Sequence, residues 1–394
     1  MNRKAQRVSW LLPNLIDREM RMPREQERVL VTGGAGFIGR AVVRELAGRG
    51  AEVRVLDALI AQVHGEAGWP EGLRDQAECR HGDVRDADAV RAALDGVTSV
   101  IHLAAEVGVG QSMYAIERYT STNDLGTAVL LEQMAARPIR RIVTASSMSI
   151  YGEGRYRDVD GGIHDAVVRA PDALRRRAWD PLDAAGRPLL PLPTPEAKPA
   201  NLASVYAIGK YVQERLTLTV AGAYGIEAAC LRLWNVFGPG QALSNPYTGV
   251  LAIFASRIAN GRPPLVFEDG RQLRDFVHVD DVARAFVLAL DHPAAPGGVF
   301  NIGGGGRFTV NEVGRELAAA MGSAIEPEMT GSGRTGDIRH CIPDMTSATT
   351  TLGYAPREAL RTRLVDLAEW VVRQDAADHV GRAADELRAR GLVT

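Results

Sequence analysis

Tyr206 and Lys210 suggest chemistry by their types and spacing, because they stand four positions apart at the start of a helical pattern that continues through Leu216. Residues four apart share one face of a helix, so the lysine ammonium would lie near the phenol. A nearby positive charge stabilises a phenolate and lowers the tyrosine pKa toward the working pH, which would make Tyr206 a general base. The same spacing also arises by chance, and an ordinary surface pair is the alternative interpretation.

A serine-rich segment, Thr144-Ala-Ser-Ser-Met-Ser-Ile-Tyr-Gly152, follows directly after a predicted strand. Open α/β sheets bind their ligands at the carboxyl ends of the strands, which is where this segment would lie. Ser147 would there be able to donate a hydrogen bond to a sugar oxygen. A serine-rich turn with no catalytic role is the alternative.

A glycine-rich turn lies near the start of the chain, where the apolar run 29–31 leads into glycines at positions 33, 34, 36 and 39 and then into a helical pattern from Phe37 to about Gly48. Gly36 has no Cβ to block a phosphate, and Gly39 lets the helix pack closely on the strand. The free N–H groups and the positive dipole end of the helix would face the anion. The pattern predicts a pyrophosphate-binding turn, and the alternative is a glycine-rich turn without a ligand.

The next predicted strand, Glu52-Val-Arg-Val-Leu-Asp57, ends in a carboxylate eighteen residues after Gly39. An acid at this place accepts hydrogen bonds from both ribose hydroxyls of the adenosine half and repels a 2′-phosphate. Asp57 therefore predicts NAD rather than NADP as the cofactor.

Composition excludes several other classes of protein. The 394 residues carry a formal net charge of −2, which gives no electrostatic basis for a nucleic-acid partner, and no polybasic run suggests a membrane surface. No apolar run approaches the ~20 residues of a membrane helix. Cys79, Cys230 and Cys341 lie far apart without metal-ligand spacing, which predicts free thiols in the cytoplasm and no metal site. Residues 1–27 are interpreted as a poorly ordered extension rather than a signal peptide.

Strand and helix patterns alternate from Arg28 to about Gly152, which predicts an α/β fold with a doubly wound parallel sheet of the Rossmann type. The predicted strands are Val29–Thr32, Glu52–Leu56, Val100–Leu103, Arg141–Thr144, Ala228–Trp234 and Val299–Ile302. The Rossmann domain is expected to span 28–235, with segments near 276–303 returning to it. A smaller, discontinuous C-terminal α/β substrate domain is expected from 236–275 and 304–394.

Residues 153–204 interrupt this alternation. They show no clear periodicity, and seven of the twenty prolines of the chain lie between Pro171 and Pro199. So long a structureless segment in a compact domain is a lid, a binding loop or a disordered insertion. A solvated surface excursion is the alternative.

Several motifs, taken in order, resemble those of the extended short-chain dehydrogenase/reductase family, in particular its nucleotide-sugar epimerases and dehydratases, over about residues 28–375. These motifs are Thr32-Gly-Gly-Ala-Gly-Phe-Ile-Gly39, Gly82-Asp-Val-Arg-Asp86, His102-Leu-Ala-Ala105, Asn123 before Gly126-Thr127, Ser146-Ser147, Tyr206-x-x-x-Lys210, Leu231-Arg-Leu-Trp-Asn-Val-Phe-Gly-Pro239, Arg274-Asp-Phe-Val-His-Val-Asp-Asp281 and Arg334-Thr-Gly-Asp337.

The resemblance implies a role for each matching residue. The implied catalytic set is Asn123, Ser147, Tyr206 and Lys210. The implied NAD contacts are Gly33, Gly36, Phe37, Ile38, Gly39, Asp57, Asp83, Val84, Leu103, Ala104, Ala105, Tyr206 and Lys210. The implied contacts to the nucleotide sugar are Ser147, Asn235, Val250, Phe267, Arg274, Arg334, Asp337 and Cys341. Guanidinium forks suit phosphate oxygens, although without the resemblance Arg274 and Arg334 would be interpreted as surface charges. Cys341 falls where 4-epimerases gate the sugar pocket, and a packed core thiol is the alternative.

Departures from the family pattern narrow the chemistry. The 4,6-dehydratases place an Asp-Glu pair where this chain has Met148 and Ser149, neither of which can do acid–base work. The insertion ending Pro193-Thr-Pro-Glu196 is not typical of simple galactose epimerases. With the segments Glu106–Met113 and Ala242–Gly249 it is more similar to the dTDP-L-rhamnose 4-epimerase branch of the family.

The resemblance therefore implies an NAD-dependent 4-epimerase that inverts C4 of a dTDP- or UDP-hexose through a transient 4-keto intermediate. A 4-ketoreductase or dehydrogenase with net redox chemistry has the same catalytic groups and stays an alternative. A non-catalytic dinucleotide-sensing or RNA-binding relative stays a remote alternative: it predicts a broken catalytic set or a basic surface, whereas Ser147, Tyr206 and Lys210 are all present and the net charge is −2. The resemblance also implies a homodimer through helices around 111–136 and 204–223, whose apolar positions are otherwise intramolecular core.

Overall fold

The computed structural model describes residues 27–65, 68–243, 245, 247, 249–334, 336–374 and 380–393. The expected N-terminal extension lies outside the described residues, apart from Glu27. Four residues of the quoted motifs also lie outside them, namely Ser244, Pro246, Thr248 and Thr335.

Strands and helices alternate along most of the chain. The first half comprises β1 (Arg28–Thr32), α1 (Phe37–Gly48), β2 (Glu52–Asp57), α2 (Ala61–His64), α3 (Leu73–Gln76), β3 (Glu78–His81), α4 (Ala87–Ala93), β4 (Ser99–His102), α5 (Val109–Ser112), α6 (Ile116–Thr120), a π-helical turn (Ser121–Leu125), α7 (Gly126–Ala135), β5 (Arg141–Ser147), a 3₁₀ turn (Met148–Tyr151), β6 (Arg155–Arg157), β7 (Ile163–His164), α8 (Pro171–Arg175) and β8 (Leu190–Leu192). The second half comprises α9 (Val205–Ala223), β9 (Glu227–Leu233), β10 (Asn235–Phe237), α10 (Val250–Ala259), β11 (Leu265–Val266), β12 (Leu273–Arg274), β13 (Phe276–His278), α11 (Val279–Asp291), β14 (Val299–Ile302), β15 (Phe308–Thr309), α12 (Val310–Ala320), β16 (Glu328–Met329), α13 (Thr346–Leu352), α14 (Leu360–Val372) and α15 (Val380–Ala389).

Seven parallel strands form the main sheet in the order β14-β9-β5-β4-β1-β2-β3. The expected α/β, doubly wound parallel fold is confirmed, and the six predicted strands are present with ends shifted by at most three residues. Thr32 pairs with Leu56 on one side and with His102 on the other, so the carboxyl ends of these strands are level. Because the strand order reverses between β1 and β4, a crevice opens there at the carboxyl edge.

Apolar side chains cover both faces of the sheet and form a third core beside it. One face packs against α1 and α11, and the other against α4 and α7. The third core joins α10, α12 and α14 through Phe254, Leu317 and Leu367, all nearly or fully buried. It draws on 237–276 and 313–371, two stretches separated by α11 and β14, so this core is built from discontinuous parts of the chain.

The insertion at 153–204 is structured, so the expectation of a segment without secondary structure is wrong. Strands β7, β6 and β8 form a small antiparallel sheet around the fully buried Tyr156. Backbone hydrogen bonds tie it to the C-terminal part of the chain, from Gly154 N–H to the His340 carbonyl and from Thr194 N–H to the Ile342 carbonyl, both at 2.8 Å. Its strands have two or three residues each, which is too short for a periodic pattern.

Cys79, Cys230 and Cys341 are all free thiols. Within the described ranges, no helix combines the length and the apolar character needed to cross a bilayer.

Candidate active site

A cavity of about 1050 Å³ runs along the carboxyl edge of the main sheet and continues against the third core. It brings together nearly all of the site residues expected from the sequence. Those that line it are Gly33, Gly36, Phe37, Ile38, Gly39, Asp57, Asp83, Val84, Leu103, Ala104, Ala105, Ser147, Tyr206, Lys210, Asn235, Val250, Phe267, Arg274, Arg334 and Asp337. Asn123 and Cys341 do not line it.

The glycine turn has the shape that a dinucleotide pyrophosphate needs. A Cβ at Gly36, the N-cap of α1, would meet only the Gly33 carbonyl oxygen, at 3.3 Å, so the side facing the cavity is open. A Cβ at Gly39 would overlap that oxygen and lie 2.6 Å from Gly34 Cα. The turn is therefore tight where the helix meets the strand and open where an anion would approach the helix N-terminus.

Asp57 is held in place at the end of β2 by backbone donors. Its carboxylate accepts hydrogen bonds from Ala35 N–H at 3.0 Å and from Leu59 N–H at 2.9 Å. The carboxylate thus stays at the cavity wall next to the glycine turn, where the ribose of an adenosine would lie. Together with the turn, this geometry fits NAD.

Asp83 also lies in the cavity wall, where its carboxylate forms an ion pair with Arg85. The guanidinium donates to both carboxylate oxygens, at 3.0 and 2.7 Å. This side-chain hydrogen bond is the main reason why the pKa of Asp83 lies below its usual range. The carboxylate is therefore ionised and fixed at neutral pH.

Tyr206 and Ser147 meet at the centre of the cavity. Ser204 caps α9 by accepting a hydrogen bond from Ala207 N–H at 3.1 Å, which presents Tyr206 in the first turn. Burial raises the pKa of the Tyr206 hydroxyl, and the neighbouring Ser147 hydroxyl lowers it in part. The net direction is upward, opposite to the lowering expected from the lysine alone.

The position of Lys210 explains why the expected lowering of the Tyr206 pKa is absent. Its ammonium donates to the Ala145 carbonyl at 2.9 Å, and burial lowers the lysine pKa to about 8. In this arrangement the lysine is anchored to β5, and the Ser147 hydroxyl is the group that stabilises the phenolate of Tyr206.

A buried ion pair behind the cavity joins β9 to α9, and its carboxylate also binds a serine of β5. Glu214 accepts from Arg232 at 2.7 Å and from the Ser146 hydroxyl at 2.8 Å. Ser146 precedes Ser147, so this pair fixes the serine against the helix that carries Tyr206. No sequence pattern predicts the pair, because a charge within a helix is usually a solvated face and the partner lies on another element.

Asn123 occupies a different place from that of a catalytic group. It is fully buried, and its amide donates to the Glu106 carbonyl at 3.2 Å while its oxygen accepts from Glu106 N–H at 2.8 Å. The expectation of a catalytic asparagine is therefore corrected: both polar atoms hold the loop after β4, and Asn123 is a positioning residue. A motif predicts the position of a side chain along the helix but not the partners that satisfy it.

Arg274, Arg334 and Asp337 form a charged cluster in the cavity wall. Arg334 donates to one Asp337 oxygen at 3.1 and 2.9 Å, and Arg274 lies 3.8 Å from the other. Although burial opposes ionisation, the arginines hold the Asp337 pKa at about 2. The carboxylate is ionised, and the cluster presents two oriented guanidinium groups of the kind that bind phosphates.

Phe267, Val250 and Asn235 line the same cavity as this cluster. The Arg334 guanidinium stacks over the Phe267 ring, 4.3 Å from its centroid. Val250 begins α10, and Asn235 donates to the Asp275 carbonyl at 2.7 Å. A planar group could therefore be cradled next to a diphosphate.

Cys341 is a packed core thiol, which corrects the expectation that it gates the sugar pocket. It is 1% exposed and packs with Met148, Tyr151 and Trp234. Burial raises the pKa of the thiol to about 12. Met148 and Ser149, which follow Ser147, both line the cavity.

The C-terminal helix α15 also borders the cavity, which no sequence pattern predicts. Leu387 lines it, and the hydroxyls of Tyr114 and Tyr247, 2.6 Å apart, both donate to Glu386 at 2.9 Å. Beyond the helix, Val393 pairs with Arg334. These segments are far apart in the chain, and only the tertiary fold brings them together.

A doubly wound sheet with a dinucleotide turn and a Ser-Tyr-Lys set facing it defines the extended short-chain dehydrogenase/reductases. The chain matches the model of the NAD dependent epimerase/dehydratase family over residues 29–168 and 186–303, and it belongs to that family. The expected class of enzyme, in the nucleotide-sugar epimerase group, and its NAD dependence are confirmed.

Individual relatives agree with this assignment. A dTDP-L-rhamnose 4-epimerase of Burkholderia thailandensis is 36% identical over 353 residues, which cover 88% of this chain and 96% of that protein. A UDP-glucose 4-epimerase of Thermotoga maritima, solved with UDP-glucose, superposes with a TM-score of 0.71 at 31% identity, covering 87% of this chain and 98% of that one. A Thermus thermophilus UDP-glucose 4-epimerase in complex with NAD gives 0.69 at 29% identity over the same shares.

Proposed function

We propose that this enzyme inverts C4 of a dTDP- or UDP-hexose. The observation that carries the proposal is one continuous cavity, which is lined by Tyr206 and Ser147, by the glycine turn and by the cluster of Arg274, Arg334 and Asp337. The sequence similarity to a dTDP-L-rhamnose 4-epimerase supports a dTDP-hexose as substrate. The structural similarity to a UDP-glucose 4-epimerase supports a UDP-hexose.

Each group of residues in the site would have its own role in binding or catalysis. The glycine turn, Asp57, Asp83 and Lys210 would hold NAD, which when bound supplies a reversible hydride acceptor. The arginine cluster would bind the diphosphate, and Phe267 with Val250 the nucleobase. Ser147 would hydrogen-bond the C4 oxygen and keep it within reach of Tyr206.

Proton transfer at the C4 oxygen is the task of Tyr206. As a phenolate it would take the proton of the C4 hydroxyl, and NAD held by the residues named above would supply the acceptor for the C4 hydride, so that C4 is oxidised to a ketone. In the reverse half the reduced cofactor would supply the hydride to the opposite face of C4, and the Tyr206 hydroxyl would give its proton back to the C4 oxygen. Met148 and Ser149 have no acid or base that could move protons at C5 or C6 of the sugar. We therefore expect no 4,6-dehydration.

We further propose a homodimer in the cytoplasm. Ile116, Leu125 and Ile208 are half-exposed apolar residues on or beside α6 and α9, the region expected to pair with a second copy. The three free thiols fit a reducing compartment. The smaller substrate domain would comprise 236–275 and 304–394 around the third core.

Incubation with a panel of dTDP- and UDP-hexoses, followed by NMR of the C4 configuration, tests the function. We expect the purified protein to carry NAD and to interconvert one C4 pair without net change in the cofactor. Stoichiometric consumption of nicotinamide during turnover would instead establish the ketoreductase or dehydrogenase alternative. A protein that holds NAD and converts no hexose of either series would contradict the proposal.

A further inference from the structure

We infer that Arg169, in the insertion, is a positioning residue that sets the nucleotide end of the substrate site. The inference rests on the proposed function, because it concerns how the arginine cluster and Phe267 are held. Arg169 does not line the cavity, and it acts through two residues, Asp337 and Glu268.

The Arg169 side chain is buried and fully engaged. It is 5% exposed, and its three nitrogens donate to three different partners: Glu153 at 2.7 Å, Glu268 at 2.5 Å and the Asp337 carbonyl at 2.7 Å. The bonds to Glu268 and Asp337 link the insertion to two other parts of the chain, and the bond to Glu153 lies within the insertion. An arginine fork can serve three fixed acceptors at once, which a single ammonium cannot do in the same geometry.

The bond to Asp337 reaches the phosphate-binding cluster. Asp337 accepts from Arg334 and lies close to Arg274, so its position sets where both guanidinium groups point. Arg169 fixes the main chain of Asp337, and its charge also helps to keep the carboxylate ionised.

The bond to Glu268 reaches the base-binding side. Glu268 is 1% exposed, and its φ of 56° lies in the left-handed region, which costs a non-glycine residue free energy. Arg169 and Arg339 each bind one carboxylate oxygen and hold this conformation. Glu268 follows Phe267 directly, so the turn aims the ring that stacks on Arg334.

Arg169→Met tests the inference, with Arg155→Met as the matched control. Arg155 lies in the same insertion and makes a bidentate ion pair with Asp165, also in the insertion. For Arg169→Met we expect KM for the nucleotide sugar and Kd for free UDP or dTDP to rise about tenfold. We expect kcat to stay within about threefold and the NAD content to be unchanged, whereas Arg155→Met should resemble the parent enzyme.

Arg169→Lys and Glu268→Gln keep the test decisive if the Met variant does not fold, and both should raise KM and Kd with little effect on kcat. Equal KM values for the Arg169 and Arg155 variants would overturn the inference, and so would a joint loss of kcat and bound NAD. Arg334→Ala separates the two proposals. If it weakens UDP or dTDP binding while Arg169→Met does not, only the inference fails, and if it leaves nucleotide binding unchanged, the proposed phosphate site fails.

Discussion

Gly34 leaves no room for a side chain at Gly39, because a Cβ there would lie 2.6 Å from the Gly34 Cα. Gly36, between them, has no neighbour closer than 3.3 Å to such a Cβ and faces the cavity. Two glycines of one motif thus meet different requirements, one for packing and one for ligand approach.

Alanine substitutions should separate these two requirements. Gly36→Ala is expected to keep the Tm and to weaken NAD binding at least about tenfold, because its methyl group would occupy the phosphate approach. Gly39→Ala should lower the free energy of unfolding by about 3 kcal/mol or more, since overpacking against backbone cannot relax. Calorimetric unfolding and NAD titration of the apoprotein measure both, and a fully stable Gly39→Ala would contradict the assignment.

Removal of the Tyr206 hydroxyl should abolish the chemistry and spare the fold. We expect Tyr206→Phe to lower kcat by about 10²–10⁴-fold, because the group that exchanges the C4 proton is lost. Tyr224→Phe, at the exposed C-terminal end of the same helix, is the control and should keep full activity. NMR of the C4 configuration gives the rates, and a Tyr206→Phe variant with full epimerisation would refute the mechanism.

The influence of the Ser147 hydroxyl on Tyr206 should be visible in the pH profile. The hydroxyl favours the phenolate, so its loss in Ser147→Ala is expected to raise the Tyr206 pKa further. The acidic limb of the kcat profile, below which Tyr206 is protonated, should therefore move to higher pH. Ser149→Ala serves as the control, since Ser149 contacts Ser147 at 3.1 Å and does not shift Tyr206. An acidic limb unmoved in Ser147→Ala would exclude this role.

Asp57 should determine the choice between the two dinucleotides. For Asp57→Asn we expect NAD affinity to fall about tenfold and the preference over NADP to shrink, because the repulsion of a 2′-phosphate is removed. Titration of the apoprotein with both cofactors gives the ratio. Asp83→Asn should weaken both alike, as adenine is common to them, and an unchanged ratio in Asp57→Asn would argue against the assignment.

The exposed apolar residues around α9 should decide the oligomeric state. Ile208→Glu would place a charge in the proposed interface, and we expect a monomer by light scattering where the parent is a dimer. Val365→Glu, on α14, changes a residue of similar exposure elsewhere and should leave the dimer intact. A monomeric parent protein would remove the homodimer proposal.

The sequence predicts best the features whose residues lie close together along the chain. The apolar run of β1, the glycine turn and the carboxylate of Asp57 are contiguous, and their spacing alone indicates the cofactor side of the site. Strand β3 escaped prediction because Glu78-Cys-Arg-His81 is too polar to show a buried pattern.

Long-range pairing is what the sequence does not show. The partners of Arg169 and Arg339 lie on other elements, and neither arginine stands in a motif. The motifs give the positions of Asn123 and Cys341 in the sequence, but the direction of each side chain depends on neighbours far away in sequence. Tertiary packing buries both side chains.

The contact between Asp180 and Arg339, at 2.7 Å, has a consequence for how the chain is made. The two residues are 159 positions apart, so at 5–20 residues per second Asp180 leaves the ribosome roughly 8–30 s before its partner. During that interval the insertion lacks the His340 and Ile342 carbonyls and the Arg339 charge that tie it to the C-terminal part of the chain. The nucleotide end of the site is therefore assembled last, after the Rossmann strands have had time to pair.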